Sequence, residues 1–310
     1  MNYNEFAGVF AQSLLANQED IMPHSEPSKY PVFVMAGSDI RRRRLLDTID
    51  PEGKYKAKAL LPFLGKRLID WQLEELQKSP YVDVLYLIGL SEEDARFDYP
   101  VQYVPAETIS DFDDKLIKGL NYLEAQGQQP ELIVISSCDA PGIRVEHINR
   151  FFELLNQYNS HDFILSLVPE AIGEKEFPHC KRVVARFRGC HVFPGELMAL
   201  SPRAIRLQQQ VIRELSNRRR QINREARKIS MGPMLRFVGQ RPRTWLMILK
   251  YMLGSATLED AERAVSAAFD CKTKGLIIPD AGFGMDMDLP EDYHRLKDYV
   301  MRIKMPQESV

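Results

Sequence analysis

Apolar residues fall into short unbroken runs separated by stretches of helical spacing, and this alternation predicts a parallel α/β sheet. The first run, Tyr30-Pro-Val-Phe-Val-Met-Ala-Gly37, stops at a glycine, as a buried strand does on entering a loop. Val82–Ile88 is a second run, ended by Gly89, and Val101–Val104 a short third. Residues 132–135, 163–168 and 273–278 read as later strands. Between them, Leu68, Ile69, Trp71, Leu73 and Leu76 make a helical stripe over 67–78. Asp111 is placed to cap a helix carrying Leu116, Ile117, Leu120 and Leu123, and 145–158 predicts another helix. Thr257 caps a further helix reaching Phe269, with Asp260 where a capping box usually has Glu or Gln. Strands apolar throughout belong in a mostly parallel sheet covered on both faces. Ligands of such sheets sit at the carboxyl ends of the strands. The informative loops are therefore 36–58, 136–142 and the segment after the last strand.

Four segments are expected. Residues 1–28 form an N-terminal helical extension (Phe6, Val9, Phe10, Leu14, Leu15) and linker. Residues 29–201 form the core, 202–254 a basic helical insertion, and 255–310 complete the core with the last strand, a loop and a C-terminal helix. The chain has 310 residues, 45% of them hydrophobic, and a formal net charge of −2 that gives no general pull toward nucleic acid. Its four cysteines form no C-x-x-C pair, and residues 1–20 do not fit a signal peptide, so a cytoplasmic protein with reduced thiols is expected. The apolar run 245–253 is broken by Lys250 and is too short to span a bilayer. The insertion is dense in arginine, including Arg203, Arg206, Arg213, Arg218, Arg219 and Arg220. Its bland reading is a solvated helix pair with one buried stripe; the functional one is a contact with an anionic membrane surface or an acidic acceptor.

Three loops at strand ends carry candidate chemistry. The first is Met35-Ala-Gly-Ser-Asp-Ile-Arg-Arg-Arg-Arg44, followed by Lys56-Ala-Lys-Ala-Leu-Leu-Pro-Phe-Leu-Gly-Lys-Arg67. Small residues after a strand let backbone N–H groups approach phosphate oxygens, and a nearby Arg and Lys neutralise triphosphate charge. The second is Cys138-Asp-Ala-Pro141, where Asp139 either caps a helix or offers oxygen to a hard cation. The third is Met285-Asp-Met-Asp288, where two carboxylates two apart can sit on one side of an extended segment and share a metal, or Asp288 caps the helix opening at Leu289-Pro-Glu-Asp292, and the two readings are compatible.

Together these loops resemble the nucleotidyltransferase superfamily with a GT-A-like fold, and in particular the MobA-like NTP transferase family. That family reads Ala-Gly-Gly-x-Gly-x-Arg, then Lys-x-Leu-Leu-Pro-x-x-Gly-Lys-x-Leu-Ile. Here Ala36 and Gly37 match, Arg42 takes the signature arginine, and Lys58 through Ile69 match nearly position for position. Asp139 to Pro141 resembles the family's Asp-x-Pro metal loop, and Asp286-Met-Asp288-Leu-Pro-Glu-Asp292 its closing Asp-x-Asp segment. The likeness extends through Phe177-Pro-His-Cys-Lys-Arg182 and Phe193-Pro-Gly-Glu196; in one subgroup the latter reads Gly-Gly-Asn and lies at the acceptor pocket. Ser38 and Ile40 replace signature glycines, so the backbone cradle is less open.

The resemblance implies a Rossmann-like three-layer α/β/α fold and transfer of a nucleoside monophosphate from an NTP to a phosphorylated small acceptor, with pyrophosphate leaving. It assigns Lys58, Arg42 and Asp139 to catalysis and Ala36, Gly37, Ser38, Arg42 and Lys58 to the nucleotide. Asp139 and Asp288 would hold Mg²⁺ (or Mn²⁺), and Arg182, Gly195 and Glu196 would meet the acceptor. Asp286 is expected on the opposite side of its segment from Asp288. His179-Cys180 and Cys190-His191 could form a zinc site only if a hairpin joined them, and are read as ordinary strand residues beside the acceptor pocket. Two other functions fit the same fold: a glycosyltransferase using a sugar nucleotide, and a catalytically weak nucleotide-binding module docking on an anionic surface.

Overall fold

The computed structural model describes residues 27–37, 44–108, 110–180, 182–207 and 244–305. The expected N-terminal helix, the loop residues Ser38, Ile40 and Arg42, and residues 208–243 of the basic stretch lie outside the described residues.

In chain order the elements are β1 (Tyr30–Met35), α1 (Arg44–Ile49), the hairpin β2 (Pro62–Phe63) and β3 (Lys66–Arg67), α2 (Leu68–Gln77), β4 (Val82–Ile88) and β5 (Val101–Val104). There follow α3 (Phe112–Ala125), β6 (Ile133–Ser136), α4 (Val145–Asn156), β7 (Phe163–Pro169), α5 (Glu170–Glu176), β8 (Ala185–Phe187) and β9 (Cys190–Leu200). The last are α6 (Pro202–Leu207), α7 (Trp245–Met252), α8 (Leu258–Phe269), β10 (Thr273–Ile277) and α9 (Pro290–Lys304).

The main sheet runs β10-β7-β9-β6-β1-β4-β5, with β8 paired to β9. All its pairings are parallel except those that β9 makes with β6, β7 and β8. Alternation along β1 divides the core into two layers. Val32 and Val34 face α2 and α4 (Ile69, Leu73, Phe151, Phe152), and Phe33 faces α3 and α6 (Leu116, Leu120, Ile205). Helices thus cover both faces, as the unbroken apolar strands require. Of β9 only the start, at Cys190 and His191, is expected as strand, because Pro194 and Glu196 interrupt the apolar pattern beyond it. At the start of α8, Asp260 performs the task usually given to Glu or Gln. Its carboxylate accepts from the Thr257 backbone N–H (3.1 Å), and its own N–H donates to Thr257 Oγ1 (3.2 Å). Among the described residues, no helix is long and apolar enough to cross a membrane.

α9 closes the fold beside α1 and α2, burying Leu296, Tyr299 and Val300 against Leu45, Leu46, Leu68 and Trp71. At its end Lys304 lies under Trp71, donating to its carbonyl (3.4 Å), 3.7 Å from Glu75. Burial pushes the Lys304 ammonium down to about 8, although Glu75 opposes this. An unfolded lysine keeps its proton to about pH 10.4, so between these values the unfolded chain binds more protons and stability climbs with pH. Lys304→Met removes that climb. Its melting temperature should exceed the parent's at pH 7, by an amount equivalent to about 1–3 kcal/mol, and the gap should shrink toward pH 10. A gap that does not change with pH contradicts this reading.

Candidate active site

The carboxyl ends of β6, β1 and β10 and the turn before β2 converge at one edge of the sheet. Asp139 follows β6 by three residues, braced from α2: Gln72 Nε2 donates to Ser136 Oγ (2.7 Å) and Gln72 Oε1 accepts from the Ala140 N–H (3.0 Å). A backbone bond from the Met287 N–H to the Asp139 carbonyl (3.0 Å) stitches this loop to the one after β10. Asp280 secures the same junction, accepting from Arg144 Nη2 (2.9 Å) and from the Phe283 N–H (2.9 Å). None of these braces was legible in the sequence, since Gln72 and Asp280 belong to no local pattern.

Asp139, Asp286 and Asp288 bring carboxylate oxygens within 4.8 Å of one another. Lys58, on a single 3₁₀ turn (Lys58–Leu60), reaches between them. It donates to Asp288 Oδ1 at 2.8 Å and forms an ion pair with Asp139. Arg182 Nη1 donates to Asp286 Oδ1 at 2.9 Å. The expectation that Asp286 points away from Asp288 is overturned. Residues two apart in an extended segment share a face, and here the other face is taken by Met285 and Met287, both fully buried. Neither aspartate serves as the cap its bland reading proposed. Leu289 stands at the cap of α9, and Asp292 accepts from the Leu289 N–H (2.9 Å). α4 begins beyond Arg144, five residues past Asp139.

The electrostatics follow from burial. Burial raises the Asp139 carboxyl above the ordinary carboxylate range; Lys58 opposes this, and Asp286 and Asp288 reinforce it. Burial also disfavours the Lys58 ammonium, but Asp139, Asp288 and Asp286 outweigh it and hold its pKa well above the usual lysine value. Lys58 is therefore charged at any working pH, and it does not fully offset the clustered carboxylates. A small hard cation with a preference for oxygen fits such a set. Burial, with Asp139 adding to it, pushes the neighbouring Cys138 thiol up to about 12, which makes it a packing group and not a nucleophile.

Ala36 and Gly37 follow β1, the strand next to β6, the Ala36 N–H donating to the Ile88 carbonyl (2.9 Å). Gly37 is sterically required: a Cβ there would lie 2.1 Å from Lys115 Nζ and 2.4 Å from the Thr108 carbonyl. Of the expected acceptor residues, Arg182 joins the cluster through Asp286. Glu196, on β9, lies opposite the Asp139 loop, its carbonyl accepting from the Ser137 N–H (3.4 Å). Gly195 is closely packed, since a Cβ there would lie 2.5 Å from Ser166 Oγ and 3.1 Å from Phe283. Of the histidine–cysteine pairs, Cys190 and His191 stand on β9, and His191 Nδ1 lies 3.2 Å from Glu170. His179, in a left-handed turn (φ 59°), and Cys180 are outside any strand. Among the described residues, the one group suited to a metal is the aspartate trio.

The chain matches the model of the MobA-like NTP transferase domain over residues 44–219, more than half its length. No curated protein matches it. Among solved structures, a hypothetical transferase from Thermus thermophilus is similar at a TM-score of 0.60 and 21% identity, covering 86% of this chain and 99% of that one. CMP:2-keto-3-deoxy-manno-octonic acid synthetase complexed with CTP is similar at a TM-score of 0.50 and 13% identity, covering 89% of this chain and 99% of that one. These identities establish a common fold and nothing finer. With the family match, the chain belongs to the MobA-like NTP transferase domain family and is a nucleotidyltransferase of Rossmann-like α/β fold.

Proposed function

We propose that this protein transfers a nucleoside monophosphate from an NTP to a phosphorylated small acceptor, a sugar phosphate or similar, in a Mg²⁺-dependent reaction. The observation that carries the proposal is the meeting of Asp139, Asp286 and Asp288 with Lys58 at the carboxyl edge of the sheet. An acceptor phosphate oxygen bonds to the α-phosphorus while the bond to the bridging oxygen breaks and pyrophosphate leaves. That oxygen is already deprotonated, so no side chain has to act as base. Lys58 stays protonated and offsets phosphate charge. Gly37 lets the turn after β1 pack against Lys115 and Thr108, a fit that no side chain would permit. Arg182, held by Asp286, offers a cation on the β9 side for the acceptor phosphate. Asp139, Asp286 and Asp288 would hold the ion, which supplies charge stabilisation at the reacting phosphoryl group. Positioning and electrostatics then account for the rate.

The contact with an anionic surface belongs to the same proposal. Trp245, Leu246, Leu249, Met252 and Leu253 stand exposed on one face of α7 and the residue after it, directly after the arginine-dense stretch. A cytoplasmic location agrees with reduced cysteines.

The test is pyrophosphate release from ATP, CTP, GTP and UTP with Mg²⁺ and pooled sugar phosphates, with and without anionic vesicles at low and high salt. Pyrophosphate that appears only when acceptor and metal are both present is expected. Consumption of UDP-sugars in place of any NTP would show a glycosyltransferase. NTP binding without turnover would show a silent nucleotide-binding module.

A further inference from the structure

Gln72 is fully buried on α2, among Ile69, Leu73 and Leu76 of the same helix. Packing alone would be met by an apolar residue there, and a buried amide is costly unless both of its ends are hydrogen-bonded. Both are, and both partners belong to the Asp139 loop. Nε2 donates to Ser136 Oγ (2.7 Å), at the last residue of β6, and Oε1 accepts from the N–H of Ala140 (3.0 Å), the residue after Asp139. One planar group therefore grips the loop on either side of the carboxylate. One turn along α2, Glu75 holds the loop's far end, accepting from the Val145 N–H (2.8 Å) at the start of α4. Residues three apart on a helix are neighbours on its surface, so a single face of α2 sets the path of residues 136–145.

The loop needs such a grip. Asp139, Asp286 and Asp288 bring oxygens within 4.8 Å of one another, and like charges at that range repel. A loop free to relax would carry Asp139 away from the other two and leave the set open. We infer that Gln72 is a positioning residue, which holds Asp139 within reach of Asp286 and Asp288 so that the trio is assembled before a cation arrives. This rests on the proposed cation site and names the residue that keeps it assembled. Hydrogen-bond partners behind a metal-binding carboxylate carry about ten- to hundredfold in metal affinity or activity.

The test titrates the full chain with Mn²⁺, followed by loss of the free-ion electron paramagnetic resonance signal, well below the melting temperature of each variant. Gln72→Met keeps the length of the side chain and loses both hydrogen bonds. Its Mn²⁺ affinity is expected to fall about ten- to hundredfold, and kcat for pyrophosphate release should fall likewise with KM for the NTP unchanged. Ser136→Ala frees one arm of the amide and should lose less, and adding it to Gln72→Met should change little, since both cut the same bond. It also decides the matter should Gln72→Met fail to fold, because parental Mn²⁺ affinity in Ser136→Ala would then overturn the inference. Ser79→Ala supplies the contrast. Ser79 Oγ donates to Asn149 Oδ1 (2.7 Å), tying the residues after α2 to α4 with no contact to the Asp139 loop. It should melt lower than the parent while Mn²⁺ affinity and kcat stay parental. A Gln72→Met variant that melts lower yet binds Mn²⁺ as the parent does is merely structural and overturns the inference, as does an equal loss of affinity in Ser79→Ala. A parent that binds no Mn²⁺ fails the proposed cation site itself.

Discussion

Asp139→Asn and Asp288→Asn are each expected to lower turnover about a hundred- to thousandfold while leaving the fold intact. Each substitution removes a charged carboxylate oxygen that would ligate the cation. The stability side works in the opposite direction. Burial and the neighbouring carboxylates raise Asp139, so in the metal-free protein the folded state binds a proton more readily than the unfolded one. Its carboxylate therefore weakens the fold increasingly as pH rises through and above the ordinary carboxylate range. Asp139→Asn should melt no lower than the parent at pH 7 without metal, and should lose the parent's gain in melting temperature when Mg²⁺ is added. Asp286→Asn is expected to impair turnover to a comparable degree, because its carboxylate joins the cluster. Calorimetric melting with and without Mg²⁺, beside steady-state turnover, checks all three. Near-parental turnover in any of them removes that residue from the site.

The second large effect is expected from Lys58→Met. Lys58 touches both Asp139 and Asp288, so its loss leaves buried carboxylates facing one another. Breaking such a set by removing one partner costs about 2–4 kcal/mol here, because the lysine is only partly screened by solvent. The loss in melting temperature should shrink as pH falls, since Asp139, raised above the ordinary carboxylate range, takes up a proton and relieves the repulsion. Mg²⁺ should restore more stability to this variant than to the parent. NTP affinity should nevertheless fall about ten- to hundredfold, because a charge-assisted phosphate contact is gone. A variant that keeps parental NTP affinity in calorimetry shows that Lys58 holds the carboxylates and does not serve the nucleotide.

The legible parts of the fold are those whose burial is symmetrical. β1, β6, most of β7 and the second half of β4 are buried apolar runs, and such burial leaves little other reading, while β5 and β10 are only partly buried and are legible through their short apolar stretches. Most of β9 escaped because it carries Pro194 and Glu196 among apolar residues and pairs antiparallel with both neighbours. Within the site, Lys58, Asp139 and Asp288 are brought together from positions up to 230 residues apart, and only their motifs announced them. Asp286 was misjudged although the alternation rule, applied to Met285 and Met287, places it with Asp288. Lys115, Gln72 and Asp280 were invisible for a different reason. Their roles arise where separate loops meet, and no local spacing encodes that meeting.

On the proposed function, the aspartate trio would hold the catalytic cation. The most direct measurement is a crystal structure of the full chain with an NTP and Mn²⁺, read by anomalous scattering. The expected result is an anomalous peak within coordination distance of carboxylate oxygens of both Asp139 and Asp288, contacting nucleotide phosphate. A peak bound elsewhere on the protein, with the three carboxylates still engaged only by Lys58 and Arg182, would contradict it.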